Sequence, residues 1–153
     1  LGYGAPDFVP GSAFELPARG FVTGCGMLVR SDLLKALGGF DASFWAYAED
    51  SDLCLRARTK GYGSAVEPSA VMSHKVSASF GLESALSMYY ITRNSLWLMR
   101  RHSLGVPGLS PLLFSAWSLA RSLRSLLRGH GDAAASTLRG LRDGLLNPVP
   151  EAP

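Results

Sequence analysis

The chain has 153 residues, of which 47% are hydrophobic and 18% charged. This composition is typical of one folded domain and excludes a disordered tail. The two cysteines, Cys25 and Cys54, have neither the spacing of a zinc site nor enough partners for a disulfide framework, which favours a reducing, cytoplasmic setting. The chain opens with Leu1, and residues 1–20 lack the pattern of a signal peptide, so we expect a missing segment upstream.

The net charge of +3 is unevenly distributed. Residues 1–80 hold seven Lys/Arg and eight Asp/Glu, a net charge of −1, whereas residues 81–153 hold eight Arg and four Asp/Glu, a net charge of +4. A basic second half predicts an anionic partner: phospholipid, a diphosphate-bearing substrate or nucleic acid.

The first thirty residues predict a loop followed by a strand. Residues 1–20 are rich in Gly and Pro at their start, which is typical of a loop. The run Phe21–Arg30 is apolar with β-branched residues, and predicts a buried strand. Gly24 and Gly26 inside it indicate a place where another backbone or a ligand comes close.

Two helices are predicted next. Ser31 can cap a short helix, Asp32–Leu37, which Gly38-Gly39 can end in a left-handed turn. After an aromatic loop, a second helix begins with acidic residues at Glu49 and runs to about Lys60, with basic residues in its last turns, as the helix dipole favours.

The remaining chain predicts a strand pair and a helical tail. Residues 63–74 read as a short strand pair interrupted by Pro68, and 81–102 as a long helix.

Residues 103–120 carry no charge, but their prolines and serines make a poor membrane span. From Pro111 onward the pattern is amphipathic, with a leucine face and an arginine face (Leu112, Ala116, Leu119, Leu123, Leu126; Arg121, Arg124, Arg128). This pattern fits a helix lying in a membrane surface, and equally a helix packed on the domain with solvated arginines.

Three carboxylates crowd the first turn of the second helix: Glu49, Asp50 and Asp52. Like charges raise one another's pKa, so one of them could act as a general base or metal ligand. The alternative is structural: Asp50 and Asp52 cap the helix, and Asp52 pairs with Arg56 four residues on. The preceding aromatics Phe44, Trp45 and Tyr47 favour the functional interpretation, because sugar rings stack on aromatic faces beside carboxylates.

The stretch resembles a known family in the order of its motifs. The residues are Gly24-Cys25-Gly26, Gly38-Gly39-Phe40-Asp41, Phe44, Tyr47, Glu49-Asp50-Ser51-Asp52-Leu53, Arg56, Gly61-Tyr62, Pro68, His74, Tyr89-Tyr90 and Arg93-Asn94. This constellation, across about residues 20–101, resembles the ED-motif region of family 2 glycosyltransferases, particularly the bacterial rhamnosyl- and galactofuranosyl-transferase-like members.

The resemblance implies a role for each carboxylate. Asp50 matches the catalytic base that deprotonates an acceptor hydroxyl as this oxygen attacks a nucleotide sugar with inversion. Glu49 would position the acceptor or hold up the pKa of Asp50. His74 matches a position that supplies a ligand to a divalent metal in some members, with Mn²⁺ favoured over Mg²⁺ for a His ligand.

The resemblance also implies a substrate site. Trp45 and Phe44 would face the acceptor, although packing under the loop explains them equally well. Gly24, Cys25 and Gly26 would line the sugar site. Arg93 could reach a phosphate, with a helix-surface ion pair as the alternative, and Asp52 completes the set of substrate-side candidates.

The fold that the resemblance implies is an α/β, C-terminal part of a GT-A fold, a mixed sheet with flanking helices and a helical tail. Residues 1–102 would be the acceptor-side half and 103–153 the amphipathic tail. Asp50-Ser51-Asp52 is literally Asp-x-Asp, but it opens a helix rather than ending a strand as the family's nucleotide-binding motif does. We therefore expect the nucleotide-binding half to be absent and the isolated chain to be inactive.

The expected partners are a nucleotide-sugar donor, a glycan or lipid-linked acceptor and a membrane surface, at the inner face of the cell membrane. An alternative is a non-enzymatic module that docks to membrane or a partner. A two-metal phosphoesterase would need more Asp/His ligands, and the arginines carry no nucleic-acid-binding motif.

Overall fold

The computed structural model describes residues 13–17, 20–75 and 84–153. These ranges contain five helices and a two-stranded sheet, a mixed α/β content as expected. In chain order the elements are β1 (Phe14–Glu15), a 3₁₀ turn (Gly24–Gly26), α1 (Ser31–Ala36), α2 (Glu49–Thr59), β2 (Ala65–Val66), α3 (Ala85–Arg101), α4 (Leu109–Leu127) and α5 (Gly131–Leu146).

The small sheet pairs β1 with β2 in antiparallel register, Phe14 opposite Val66. The prediction of a loop throughout residues 1–20 was therefore wrong at β1. The predicted strand pair within residues 63–74 was also wrong, since this range contains only the strand Ala65–Val66, which pairs with β1. Beyond Pro68 the chain turns, and Val71 is 88% exposed and unpaired by any described strand.

Residues 21–30 do not form the predicted buried strand. The segment bends through the 3₁₀ turn and becomes extended again at Met27, with φ −97° and ψ 128°. Met27 and Val29 pack on the core while Leu28 is fully exposed, which is the alternation of a strand. A strand also needs a neighbouring strand, and no described strand pairs with this segment.

Helices α1 and α2 pack through Leu33, Leu37, Leu53 and Ala57. Ser31 does not cap α1 as predicted, because it is itself the first helical residue. The left-handed turn after α1 is confirmed at Gly38 and Gly39, with φ of 71° and 80°. The predicted acidic start of α2 at Glu49 is also confirmed.

Helix α3 packs closely against α5. The close approach requires glycine, since a Cβ on Gly140 would lie 2.6 Å from the carbonyl oxygen of Tyr89, and one on Gly144 would lie 2.8 Å from Leu96 Cδ1. The other side of α3 contributes Trp97 and Leu98 to a core with Phe44 and Leu55. Helix α3 thus joins the loop before α2 to the helical tail, while the division at residue 103 stays a prediction.

Candidate active site

The loop before α2 has an unusual backbone. Trp45, Tyr47 and Ala48 have φ of 58°, 64° and 71°, in the left-handed region that residues with a Cβ rarely adopt. Each such residue costs on the order of 1 kcal/mol and persists only where neighbouring contacts hold it. This loop leads directly into Glu49 and Asp50, so its conformation sets the position of both carboxylates.

Asn94 on α3 holds this loop. Its side chain is fully buried, and Nδ2 donates to the carbonyl oxygens of Phe44, Ala46 and Tyr47 at 2.8, 2.7 and 2.8 Å. An amide that satisfies the carbonyls of a strained turn fixes its geometry. The sequence places Asn94 within the resemblance, but a buried Asn inside a helix has no local pattern that reveals which backbone it contacts.

Asp50 lies at the start of α2 beside the 3₁₀ turn. Oδ2 accepts a hydrogen bond from the Gly24 backbone N–H at 2.8 Å, and Oδ1 accepts one from the Ser51 N–H at 2.6 Å. The carboxylate is partly exposed, and a Cβ on Gly24 would lie 3.5 Å from Asp50 Cβ. The structure therefore brings together Asp50 and Gly24, which are 26 residues apart in the chain.

Glu49 has a different environment. Its Oε2 is buried and hydrogen-bonds to none of the described residues. Burial raises the pKa of this carboxyl, and the neighbouring charge of Asp50 raises it further. A buried carboxyl with a raised pKa beside a second carboxylate is typical of acid–base sites.

Trp45 forms an exposed aromatic surface. Its side chain is 57% exposed, and its ring lies 4.7 Å from that of Tyr90, with an interplanar angle of 34°. Phe44 has no exposed surface and packs edge-on against Trp97, at a centroid distance of 6.2 Å. Packing under the loop is thus the observed arrangement for Phe44, whereas Trp45, in contact with Tyr90, has an exposed ring.

Arg93 is engaged within the protein. Its Nη2 donates to the carbonyl oxygen of Ser43 at 2.9 Å, and its Nε donates to Asn94 Oδ1 at 2.8 Å. The guanidinium also lies over the Trp97 ring, 4.2 Å from its centroid. Arg93 therefore supports the loop together with Asn94, and its contact with a phosphate stays a prediction.

Asp52 is fully buried among positive groups. Arg56 donates to its Oδ2 at 2.7 Å, as the structural alternative predicted, while Arg101 and His102 contact Oδ1 at 3.0 and 2.8 Å. Burial alone would raise the pKa of Asp52, but the hydrogen bonds from His102, Arg56 and Arg101 together lower it to about 2. With no exposed surface, Asp52 stabilises the attachment of α2 to the end of α3 rather than meeting substrate.

His74 is exposed in a segment without regular structure. Across residues 13–17, 20–75 and 84–153, no three His, Cys, Asp or Glu side chains converge to hold a metal ion. The described residues alone therefore do not fit a divalent metal centre, because an ion of this kind needs several ligands. The structure gives no support to metal binding by His74.

Comparison with known proteins identifies the family. A model described as "Glycosyl transferase family group 2" matches residues 11–139, most of the chain. The chain belongs to this glycosyltransferase family. The N-acetylglucosaminyl-diphospho-decaprenol L-rhamnosyltransferases of two Mycobacterium tuberculosis strains, CDC 1551 / Oshkosh and ATCC 25618 / H37Rv, are each 33% identical to it over 85 residues. No solved structure matches.

The aligned stretch covers 55% of this glycosyltransferase chain but only 28% of each rhamnosyltransferase. The resemblance seen in the sequence is confirmed at the level of the family. The aligned part of the relatives is too short to carry their substrates to this chain.

Proposed function

We propose that this chain forms the acceptor side of an inverting glycosyltransferase in which Asp50 is the general base. The observation that carries this proposal is the fixed, partly exposed Asp50 carboxylate, held by the Gly24 N–H at the end of a strained loop. A base needs this combination of defined geometry and access to the proton that it removes.

The proposed reaction is a direct displacement. Asp50 takes the proton from an acceptor hydroxyl while the hydroxyl oxygen forms a bond to the anomeric carbon of the donor sugar. The bond between this carbon and the diphosphate oxygen breaks, and the nucleoside diphosphate leaves with the bonding electrons. Attack opposite the leaving group inverts the anomeric configuration.

Glu49 is proposed to orient the acceptor. Its raised pKa means that it holds a proton at a higher pH than an ordinary carboxyl, and its buried Oε2 has no partner among the described residues. A carboxyl oxygen without a partner can form a hydrogen bond with an acceptor hydroxyl group. Glu49 would then position the hydroxyl that Asp50 deprotonates.

Two surfaces near Asp50 are proposed to bind sugars. The Trp45 ring, supported by Tyr90, offers an exposed face on which an acceptor sugar can stack. Gly24, Cys25 and Gly26 are exposed small residues beside the base, and are proposed to let a sugar approach the backbone.

The substrate classes follow the names of the relatives. We propose an activated nucleotide sugar, with L-rhamnose as the first candidate, and a lipid-linked glycan acceptor. Residues 1–102 are proposed as the acceptor-side half of a GT-A fold, and 103–153 as a tail that keeps the protein peripheral at the inner face of the membrane. No helix within the described residues is both long and apolar enough to cross a bilayer.

The test is a transfer assay on the protein that carries this sequence. A panel of nucleotide sugars is offered with a polyprenyl-diphosphate-linked N-acetylglucosamine, and the anomeric configuration of the product is read by NMR. We expect one donor to be used, with an inverted product. A product that retains the donor's configuration would contradict the assignment of Asp50 as a base in a single displacement.

A further inference from the structure

Helix α4 presents a broad leucine surface outward. Six of its leucines have side chains more than half exposed, and we call them the leucine face: Leu112, Leu113, Leu119, Leu123, Leu126 and Leu127. A helix packed on a water-soluble domain normally turns its large apolar residues inward. Here the predicted apolar stripe is present, but it faces away from the protein.

The inward side of α4 is lined by small polar residues. Ser118 and Ser122 are buried, and Ser122 Oγ donates to the Ala134 carbonyl oxygen of α5 at 3.0 Å. Ala133 and Ala134, in the first turn of α5, are also buried. Small residues inside and large apolar residues outside are the arrangement that helices adopt when lipid covers their outer surface.

Positive charge borders the leucine face. Helical spacing places Trp117, Arg124 and Arg128 along one edge of it, and Arg121 lies over the Trp117 ring at 5.5 Å. Residues 103–131 contain no acidic side chain. An apolar face with arginines and a tryptophan at its border matches the boundary between acyl chains and anionic headgroups.

We propose that the leucine face docks on an anionic phospholipid surface, with α4 lying in the plane of the membrane. A second copy of this chain is a poorer occupant, because its α4 contains no acidic residue to meet the arginines. The proposal deepens the membrane location proposed above. It does not depend on the transfer reaction, because lipid binding is measured without any sugar substrate.

The experiment is vesicle flotation of the full chain with phosphatidylcholine vesicles that contain about one third phosphatidylglycerol. The test variant is Leu119→Gln/Leu123→Gln. The matched control is Leu28→Gln/Val71→Gln, which removes two apolar side chains that are more exposed than Leu119 and Leu123 and lie far from α4 in the sequence. Circular dichroism verifies that both variants remain folded, as expected for changes at exposed positions.

We expect the wild type and the control to float with the vesicles, and the α4 variant to bind at least about ten-fold more weakly. Brominated acyl chains should quench tryptophan fluorescence, and most of this quenching should disappear in Trp117→Phe.

Equal binding of test and control variants, or no binding of the wild type, would overturn the proposal. Concentration-dependent dimerisation abolished by Leu119→Gln/Leu123→Gln would assign the face to a second copy instead. If the wild-type protein binds vesicles but transfers no sugar in the assay described above, only the proposed reaction would be refuted.

Discussion

The Asp52 carboxylate and the Arg101 guanidinium meet at 3.0 Å, although 49 residues separate them in the chain. Asp52 lies in the first turn of α2, and Arg101 is the last residue of α3. Arg101 also binds the Asp41 carboxylate at 2.6 Å, so one guanidinium joins the loop before the site, the helix of the site and the end of α3. This buried charge cluster holds the elements that position Asp50.

Replacing Asp52 should destabilise the fold strongly. Asp52→Asn leaves the buried Arg56 without a carboxylate partner and Arg101 with Asp41 alone, so we expect a loss of about 3 kcal/mol in the free energy of unfolding. Urea denaturation measures this loss. Asp32→Asn is the control, since it removes an exposed carboxylate that also pairs with an arginine, and should change the stability little. Equal effects of the two variants would contradict the structural role of Asp52.

The stability should fall in acid because of the same residue. The pKa of Asp52 is lowered in the folded protein to about 2, below its ordinary value near 4, so its contribution is complete above that ordinary value and disappears as pH falls towards 2. We expect about 2 kcal/mol to be lost across this interval. Unfolding measured from pH 5 to pH 2 should show this dependence in the wild type and a flatter one in Asp52→Asn. Parallel curves for the two proteins would contradict the lowered pKa.

Asn94→Ala should loosen the loop that carries Trp45. The substitution removes the buried donor to the carbonyls of Ala46 and Tyr47, while the Phe44 carbonyl keeps its hydrogen bond from the Ala46 N–H at 2.7 Å. We expect a loss of about 2 kcal/mol in stability, and a fall in kcat for transfer because the loop no longer fixes Asp50. Ser95→Ala, on the neighbouring position of α3, serves as the control. A fully stable Asn94→Ala protein would show that the loop holds its conformation without this amide.

Trp45→Gly should separate acceptor binding from stability. Glycine adopts the left-handed φ of this position at no steric cost, so removal of the exposed ring should leave the fold intact. Loss of the stacking surface should raise KM for the acceptor about ten-fold, while KM for the nucleotide sugar stays unchanged. Trp45→Phe should retain most of the acceptor affinity. A rise in KM for the nucleotide sugar alone would show that Trp45 contacts the donor and not the acceptor.

The sequence predicted those features that depend on neighbours along the chain. The acidic start of α2 and the turn at Gly38-Gly39 follow from helix-dipole and glycine preferences, and both were confirmed. The interpretation of 21–30 as a buried strand failed because a strand also depends on a partner that periodicity cannot reveal. The contacts of Asn94 and His102 escaped prediction for the same reason, since each joins residues about fifty positions apart.

The sequence also could not predict which face of α4 packs on the protein. Its pattern identified a leucine face and an arginine face, but spacing along a helix cannot tell which face meets the protein. The exposure of the leucines and the burial of Ser118 and Ser122 show that the leucine face points outward. Similarly, Phe44 and Trp45 are adjacent aromatics in the sequence, yet one is buried and the other exposed.

The central claim is that Asp50 acts as the base, and its most direct test is the transfer rate of Asp50→Asn. The amide keeps the size of the side chain but cannot take a proton, so we expect kcat to fall at least about 100-fold while nucleotide-sugar binding is nearly unchanged. Asp132→Asn, in the first turn of α5, is the same substitution at an equivalent helix position and should leave transfer intact. Retention of most of the activity by Asp50→Asn would contradict the account.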